Sequence, residues 1–301
     1  MDPLSDILSL LKPRNLLSAG FEAGGDWAVQ FPDQQDNIKT GAIVAGRCLL
    51  WVDGVDDPVQ LEQGDCFLLP SGRPFRMASG PGLPALRAEE IFPAARRGGI
   101  LKLGEATGFF CVSSRFSLEG RHGNILLGML PPIVHLKEAP DLRWAMERMM
   151  AELREDRPGA FLVLRHLAHM MLVQALRLHL AMGPGQGTGW LFALSNQQVG
   201  AAIGALHADP ARAWTLQDLA RHAGMSRSSF AERFKTLVGA APMEYLTRWR
   251  MLLAGDRLLT GREPVSAIAL SVGYQSESAF STAFKRVLGC PPRDYARMAI
   301  G

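Results

Sequence analysis

The chain has 301 residues, with 32 Lys or Arg against 29 Asp or Glu and a formal net charge of +3. This length is typical of about two domains. The four cysteines, at positions 48, 66, 111 and 290, lack the paired spacing of a metal site and suit a reducing cytoplasm. The first Lys comes only at position 12, after Asp2 and Asp6, so we expect no secretory signal peptide and a cytoplasmic location.

Residues from about 20 to 130 alternate short apolar runs with Gly, Pro and Asp turns. This alternation predicts a small all-β barrel or sandwich. The best strand candidates are residues 42–52, 60–61, 66–69 and 109–112. We therefore place an all-β domain at residues 1–135.

Residues 64–75 of this domain read Gly-Asp-Cys-Phe-Leu-Leu-Pro-Ser-Gly-Arg-Pro-Phe. They resemble the second motif of the cupin fold, in which a glycine is followed after five residues by P-x-G-x-x-H. The glycines and the proline match, whereas Phe75 stands where cupin enzymes place a metal-binding histidine. Residues 23–60, where the first motif would supply two histidines and a glutamate, contain no histidine.

A catalytic metal needs about three converging imidazole or carboxylate ligands. The motif positions cannot supply these ligands. His122 and His135 lie beyond the motif, and we expect them to be surface or core residues and not metal ligands. The sequence therefore predicts a cupin-like barrel without a metal, without a cofactor and without enzymatic activity.

Two helices are predicted after the barrel, at about residues 140–155 and 159–181. Charged and polar residues interrupt the second, so we expect no membrane span. Its apolar residues recur in steps of four and three, as in a coiled coil: Leu164, Ala168, Met171, Ala175 and Leu178. This stripe could pack on its own barrel or on a second subunit, and we favour a homodimer formed through the 159–181 helix.

Residues 183–189 read Gly-Pro-Gly-Gln-Gly-Thr-Gly, a composition that predicts a flexible hinge at 183–190. The hinge separates a helical linker or dimerisation segment, 136–182, from a C-terminal domain, 191–301. From residue 196 onward the chain has thirteen Lys or Arg against eight Asp or Glu, a net charge of +5. This asymmetry favours a C-terminal domain that faces nucleic acid.

The C-terminal region contains an internal repeat. Ala220 and Gly224 match Ala269 and Gly273 at a separation of 49 residues. Further residues match at a separation of 50, namely Phe230, Phe234, Lys235, Gly239, Pro242 and Tyr245 with Phe280, Phe284, Lys285, Gly289, Pro292 and Tyr295. Such agreement at a fixed period predicts a duplicated structural unit.

Each copy of the repeat predicts a helix, a glycine turn and a second helix. Glycine permits the positive φ at which a helix can end, and Ser226 or Ser276 can cap the helix that follows. This is the pattern of a helix-turn-helix, whose second helix enters the DNA major groove. One copy alone would favour a generic helical hairpin, whereas two copies suit two adjacent major grooves.

Residues from about 214 to 297 resemble the DNA-binding domain of AraC/XylS-type transcriptional regulators. The resemblance is carried by A-x-x-x-G-M-S-x-x-x-F in the first copy, by R-M-x-x-A-x-x-x-L at residues 250–258, and by V-G-Y-x-S-x-S-x-F-S-x-x-F-K-R-x-x-G-x-x-P-x-x-Y in the second copy. It implies a long linking helix at residues 242–260 and a cupin-like sensor in front. The expected fold is α+β multidomain, with a cupin-like barrel, a helical linker and an all-α domain containing two helix-turn-helix motifs.

The resemblance also implies which residues contact DNA. Base edges are expected to meet Arg227, Ser228, Ser229 and Glu232 on the first recognition helix and Glu277, Ser278, Ser281 and Thr282 on the second. Glutamate can accept from a cytosine amino group, and serine can pair with several bases. Phosphates are expected to meet Lys235, Lys285 and Arg286. The expected partner is promoter double-stranded DNA, with RNA polymerase as a further partner if the protein is an activator.

The predicted function is sequence-specific transcription regulation, controlled by a small effector of unknown identity in the barrel. Candidate lining residues are Arg47, Trp51, Phe67, Arg73 and Phe75. The arginines could hold an anionic group, while the aromatic residues could equally be plain barrel core.

Three alternatives stay open from the sequence. The protein could be a cupin-type enzyme with an accessory DNA-binding domain, or a constitutive DNA-binding protein whose barrel only dimerises. It could also be a redox-responsive regulator that uses Cys48, Cys66 and Cys111, although buried strand cysteines are usually inert packing residues.

Overall fold

The computed structural model describes residues 2–35, 37–92, 99–104, 108–118, 130–155, 157–181, 189–259, 261 and 263–297. The chain forms two compact units. The sensor unit comprises Pro13–Met182. The DNA-binding unit combines Gly183–Gly301 with Met1–Lys12, which contains helix α1 (Pro3–Leu11). The first twelve residues therefore differ from the expected sensor segment 1–135, and residues 183–188 of the expected hinge lie outside the described part of the chain.

The sensor unit contains two β-sheets followed by helices. Its strands are β1 (Arg14–Ala23), β2 (Ala28–Phe31), β3 (Ile38–Ala45), β4 (Arg47–Val52), β5 (Val59–Glu62), β6 (Cys66–Leu69), β7 (Phe75–Ala78), β8 (Leu86–Arg87), β9 (Gly99–Leu103), β10 (Phe109–Ser117) and β11 (Val134–Leu136). Its helices are α2 (Ala88–Ile91), α3 (Pro140–Glu155) and α4 (Ala160–Ala181). One sheet has the order β11-β6-β3-β10-β1-β9 and the other the order β5-β4-β7-β2-β8.

The predicted strands are confirmed, except that one of them is divided into two. The predicted strand 42–52 is part of two strands, β3 and β4, because the chain turns at Gly46 with φ +77°. A Cβ at Gly46 would lie 2.2 Å from the Gly108 carbonyl oxygen, so only glycine fits this turn without a shift. The predicted runs 60–61, 66–69 and 109–112 all lie within observed strands, whereas β1, β2, β7, β8, β9 and β11 were not among the strand candidates.

The apolar side chains between the two sheets form the sensor core. Phe21 packs edge-on against Trp27 with ring centroids 5.0 Å apart, and Trp27 contacts Phe109 at 4.7 Å. Alternation along β10 sends Phe116 to the opposite face of its sheet, where its ring meets His169 of α4. Helices α3 and α4 therefore cover the face of the six-stranded sheet that is turned away from the core between the sheets.

The coiled-coil-like stripe of α4 packs within the sensor unit. Leu164, Ala168, Met171 and Ala175 are buried there, so the expectation that this stripe forms a dimer is corrected. The stripe is already covered by the helix and strands of its own unit. Among the described helices, α4 is long and apolar enough to cross a membrane by length and composition, but its buried stripe is that of a core helix.

Asp65 joins the turn between β5 and β6 to the segment after β11. Its carboxylate accepts from the N–H groups of Glu62 and Glu138 and lies 2.8 Å from His135 Nε2. Burial alone would raise the pKa of Asp65, but these hydrogen bonds outweigh burial and hold the pKa below its ordinary value. His135 is therefore a structural partner of Asp65, whereas His122 lies outside the described residues.

The DNA-binding unit is helical. Its helices are α1, α5 (Trp190–Ser195), α6 (Gln197–Ala208), α7 (Leu216–His222), α8 (Arg227–Val238), α9 (Pro242–Leu259), α10 (Val265–Ser271), α11 (Glu277–Leu288) and α12 (Pro292–Arg297). Helix α9 matches the expected linking helix at 242–260 to within one residue.

Helix α1 packs on α6 and α9, although these two helices are far from it in sequence. Its Leu4, Ile7 and Leu11 are buried, and Lys12 forms an ion pair with Asp256. Asp6 lies 3.5 Å from Nδ1 of His207, whose Nε2 lies 2.8 Å from the Tyr245 hydroxyl. Because α1 completes this apolar surface, it is part of the DNA-binding unit.

The carboxylate of Asp65 yields a prediction for the stability of the sensor unit. Asp65→Asn removes charged hydrogen bonds in a buried turn and is expected to lower the free energy of unfolding by about 1–3 kcal/mol at pH 7. A depressed native pKa gives stability that is present above the unfolded value, near 3.9, and is lost as pH falls through the native value. Denaturant unfolding should therefore show a gap between wild type and variant that closes on acidification. A gap that is constant from pH 7 to pH 3 contradicts this role.

Candidate nucleic-acid interface and effector cavity

The first helix-turn-helix is built by side-chain caps and a glycine turn. Thr215 and Asp218 form a reciprocal capping box that starts α7, with the Asp218 N–H donating to Thr215 Oγ1 at 3.1 Å. Gly224 adopts φ +63°, and the Met225 N–H reaches back to the Ala220 carbonyl oxygen at 2.9 Å. The chain therefore leaves α7 sharply and enters α8.

Helix α8 is fixed by its cap and by its aromatic face. The Ser226 hydroxyl accepts from the Ser229 N–H at 3.2 Å, which confirms the predicted N-cap. Phe230 and Phe234 are completely buried, and Gly239 ends the helix at φ +80°. The polar face opposite these rings is left exposed.

The second helix-turn-helix repeats this geometry. The Tyr274 N–H reaches the Ala269 carbonyl oxygen at 3.0 Å, and Ser276 caps α11 by accepting from the Ala279 N–H. The paired phenylalanine rings lie 5.5 Å apart in the first copy and 5.4 Å apart in the second. The residue inserted after Gly273 lengthens the turn without moving the cap, so the repeat in sequence is a repeat in structure.

Arg250 of α9 connects the two copies. Its Nε donates to the Pro210 carbonyl oxygen at 2.6 Å and its Nη2 to that of Arg212 at 2.8 Å, in the loop before α7. The same guanidinium lies 5.8 Å from the ring centroid of Tyr274, in the second turn. A Cβ at Gly273 would come 2.4 Å from the Ala211 carbonyl oxygen. The two copies therefore meet too closely for any residue but glycine at this point.

The predicted DNA contacts lie on the exposed faces of α8 and α11. Exposed side chains are Arg227, Ser228, Ser229, Glu232, Lys235, Glu277, Ser278, Thr282, Lys285 and Arg286, while Ser281 is half-buried. Residues three and four apart share a helix face. Two equivalent rows result: Ser229, Glu232 and Thr236 on α8, and Ala279, Thr282 and Arg286 on α11.

The rows contain two polar residues that the sequence did not assign to base edges. Arg286, expected to meet phosphate, lies in the same row as the exposed Thr282. Thr236 occupies the equivalent position on α8 and was not selected from the sequence, although its spacing of four from Glu232 was readable. Exposed Arg233, next to Glu232, was also missed.

The charges on this surface are unequal. Glu277 is 3.5 Å from Arg293 of α12, which balances its carboxylate at the start of α11. Lys235, Lys285 and Arg286 form no salt bridge with any described residue. Free cations beside two exposed polar rows suit a phosphate backbone.

The sensor unit contains a cavity of about 620 Å³ between its two sheets. Of the five expected lining residues, only Phe67 lines it. Arg47 lies at a separate, open depression, and Arg73 is exposed with its Nη1 donating to the Asp53 carbonyl oxygen. Trp51 alternates with buried Leu50 and Val52 and so faces away from the core. The expectation for these three residues is therefore corrected, and so is that for Phe75, which is buried in the core and does not line the cavity.

Phe75 stands at the position where the cupin motif has a metal-binding histidine. Phe75 is buried and its ring stacks on that of Phe31, with centroids 4.3 Å apart and planes 8° from parallel. No group of three His, Cys, Asp or Glu that could hold a metal occurs among the described residues. The side chains present at the motif do not fit a cupin metal.

The sensor cysteines are poor candidates for oxidation chemistry. Cys48, Cys66 and Cys111 are buried. Burial raises the pKa of Cys66 and of Cys111 to about 12 and raises that of Cys48 as well. Because the thiolate is the reactive form, these values argue against the redox-responsive alternative.

Comparison with known proteins agrees with both units. The chain matches a family described as Cupin over residues 2–181 and a family described as Helix-turn-helix domain over residues 219–298. It is 46% identical to an AraC-like transcription regulator of Streptomyces lividans, over 99% of this chain and 98% of that protein. A second AraC-like regulator, from Streptomyces antibioticus, is 44% identical over 99% of each chain.

Among solved structures, the DNA-binding domain of AdpA in complex with a target DNA is 31% identical. The match covers 34% of this chain and 91% of that domain, with a TM-score of 0.32. The cupin match covers the sensor unit, and the helix-turn-helix match covers most of the duplicated frame described above. The chain belongs to the AraC-type transcriptional regulators, with an N-terminal cupin-like domain and a C-terminal helix-turn-helix DNA-binding domain.

Proposed function

We propose that this regulator binds promoter DNA in the cytoplasm as a homodimer and that a small molecule in the sensor cavity changes its affinity for DNA. The observation that carries the proposal is the repeated frame, which leaves one exposed polar row on each of α8 and α11. No catalytic role is proposed for the barrel. RNA polymerase is a further partner if the regulator activates transcription.

In this proposal α8 and α11 enter successive major grooves on one face of the DNA. Ser228, Ser229 and Glu232 meet bases from α8, joined by Arg227 at the start of that helix. From α11, Ser278 and Thr282 meet bases directly, with Glu277 and half-buried Ser281 beside them. Because the two rows differ in chemistry, each helix reads a different sequence.

Phosphate contacts hold the two helices in register. Lys235 and Lys285 are equivalent residues of the two copies. Each directly precedes in sequence the last residue of its outward row, Thr236 on α8 and Arg286 on α11. Their ammonium groups, which form no salt bridge within the described part of the chain, support binding to the backbone on either side of the groove. Arg286 can contact either a phosphate or a base edge, because it lies in the same outward row as Thr282.

The homodimer is proposed to form through the outer face of α4. Leu162, Val163 and Met170 are all exposed there, with Leu162 at 51%. Apolar residues this exposed along one helix are typical of an interface. A second copy of the same helix would cover them, and two DNA-binding units would then bind two half-sites with a raised effective concentration.

The phosphate role of Lys285 is tested by its truncation. Lys285→Ala is expected to weaken binding to all DNA fragments alike and to reduce the slope of log K against log salt by about one unit. Electrophoretic mobility shifts at several salt concentrations measure both effects. Lys137→Ala, which removes an exposed lysine of the sensor unit, is the matched control. An unchanged salt slope for Lys285→Ala contradicts the contact.

The base-reading role of α8 is tested by truncating Ser228 and Glu232, two of the four residues proposed to meet bases from this helix. The double substitution Ser228→Ala with Glu232→Ala should change the preferred sequence under the first recognition helix, because each lost base contact removes about 1–3 kcal/mol of discrimination. Selection from a random DNA pool measures the preference. Gln198→Ala, on α6, should leave it unchanged. Identical preferred sequences for wild type and double variant would show that α8 does not read these bases.

The interface role of α4 is tested by placing charges on its outer face. Leu162→Glu with Met170→Glu should convert the dimer into monomers, since two copies of a buried carboxylate pair cannot be accommodated. Sedimentation velocity of the full chain measures the mass. Leu86→Glu, at another exposed leucine of the sensor unit, should leave the dimer intact. A wild-type monomer, or a dimeric double variant, argues for a different assembly.

A further inference from the structure

We propose that the effector is a small carboxylate with an apolar body, and that Lys39 and Arg115 hold its carboxylate group inside the sensor cavity. This inference names the chemistry of the effector and therefore rests on the function proposed above. The cationic end of the cavity was not predicted from the sequence, which pointed to Arg47 and Arg73 instead.

The two cations are neighbours on adjacent strands. Strands β3 and β10 are antiparallel, and Arg115 lies directly opposite Lys39 in their register. Side chains alternate along a strand, so Cys111, Ser113 and Arg115 share the face of β10 that lines the cavity. Two like charges directly opposite each other in a half-buried site are unfavourable. An anion between them removes that repulsion.

The hydrogen-bonding groups at this end are only partly used. Lys39 Nζ donates to Ser113 Oγ at 3.0 Å. Arg115 Nε is buried, and it has no hydrogen-bond partner within the described part of the chain. Glu89, the acidic residue of the lining, is exposed and lies 2.9 Å from Arg87. A carboxylate supplies two oxygens in the plane that a guanidinium recognises.

The remainder of the cavity selects an apolar body. Its wall carries Leu17, Phe21, Phe31, Phe67, Met77 and Phe92. The Phe67 ring lies against Gly41 of β3, where a Cβ would be 2.3 Å from the ring, and so forms a floor. The Gln34 amide already donates to the Pro32 carbonyl oxygen at 2.7 Å. The hydroxyls of a sugar would find few partners on this wall, whereas hydrocarbon would be well packed.

Protonation of Lys39 is coupled to binding. Burial lowers the pKa of Lys39 to about 8, and the nearby Arg115 adds to the decrease. The other titratable groups facing it are Cys111, whose pKa is raised to about 12, and Glu89 at the rim. A bound carboxylate favours the charged ammonium and raises its pKa. The affinity for an acid should therefore fall as pH rises above about 8.

The test compares acids with their neutral amides. The full chain is titrated calorimetrically at pH 7 with 3-phenylpropionate and decanoate and with the two corresponding primary amides. At least one acid should bind, and its amide should bind at least about tenfold more weakly. Repeating the titration with the wild type at pH 9.5 should weaken the acid and leave the amide unchanged. This comparison needs no variant to fold.

Variants locate the site. Arg115→Gln and Lys39→Met should each weaken acid binding at least about tenfold, while Arg47→Gln, which changes an arginine outside the cavity, should bind like the wild type. The inference is overturned if neither acid binds at millimolar concentration, if the amides bind as tightly as the acids, or if a folded Arg115→Gln variant retains full affinity.

Mobility shifts with the same compounds separate this inference from the proposed function. If an acid binds at Lys39 and Arg115 but DNA affinity does not change, the carboxylate site stands and the effector role fails. If instead an amide binds as tightly as its acid and alters DNA affinity, the sensor function stands and the carboxylate inference fails.

Discussion

The contact between the two helix-turn-helix copies is the constraint on which the DNA-binding unit depends. Arg250 extends from the linking helix to two carbonyl oxygens before α7, while Gly273 brings the second turn against the same loop. A side chain at Gly273 would force these backbones apart. The distance between α8 and α11 is therefore set by one half-buried arginine and one missing Cβ. The pitch of successive major grooves is met only if that distance is held.

In each unit the scaffold residues follow a shared pattern, whereas the residues on the outward rows and around the cavity depart from that pattern. In the DNA-binding unit the repeated phenylalanines, glycine turns and serine caps are scaffold, and the outward rows differ between the copies. In the sensor unit the cupin-like sheets are kept, but Phe75 packs on Phe31 where a metal ligand would stand. The polar chemistry lies instead at Lys39 and Arg115, at one end of an apolar cavity. This apolar cavity with cations at one end is the basis of the effector site that we propose.

Much of the fold could be predicted because its signals are local. The repeat, both N-caps, the linking helix and several strands follow from spacing and from residue type within short windows. The placement of α1 could not be predicted, since an amphipathic helix does not specify the domain that covers it. The stripe of α4 likewise indicated burial but not the covering surface, which is its own unit. Lys39 and Arg115 meet only through the register of β3 with β10, and no local pattern encodes that register.

In our proposal one DNA-binding unit presents two recognition helices to DNA at a fixed spacing. Hydroxyl-radical footprinting of the full chain, on a DNA fragment recovered by genome-wide mapping of its binding sites, measures that spacing. For each half-site we expect two protected segments on one face of the DNA with centres about 10 base pairs apart. A single protected segment per half-site, or two segments on opposite faces of the helix, would contradict it.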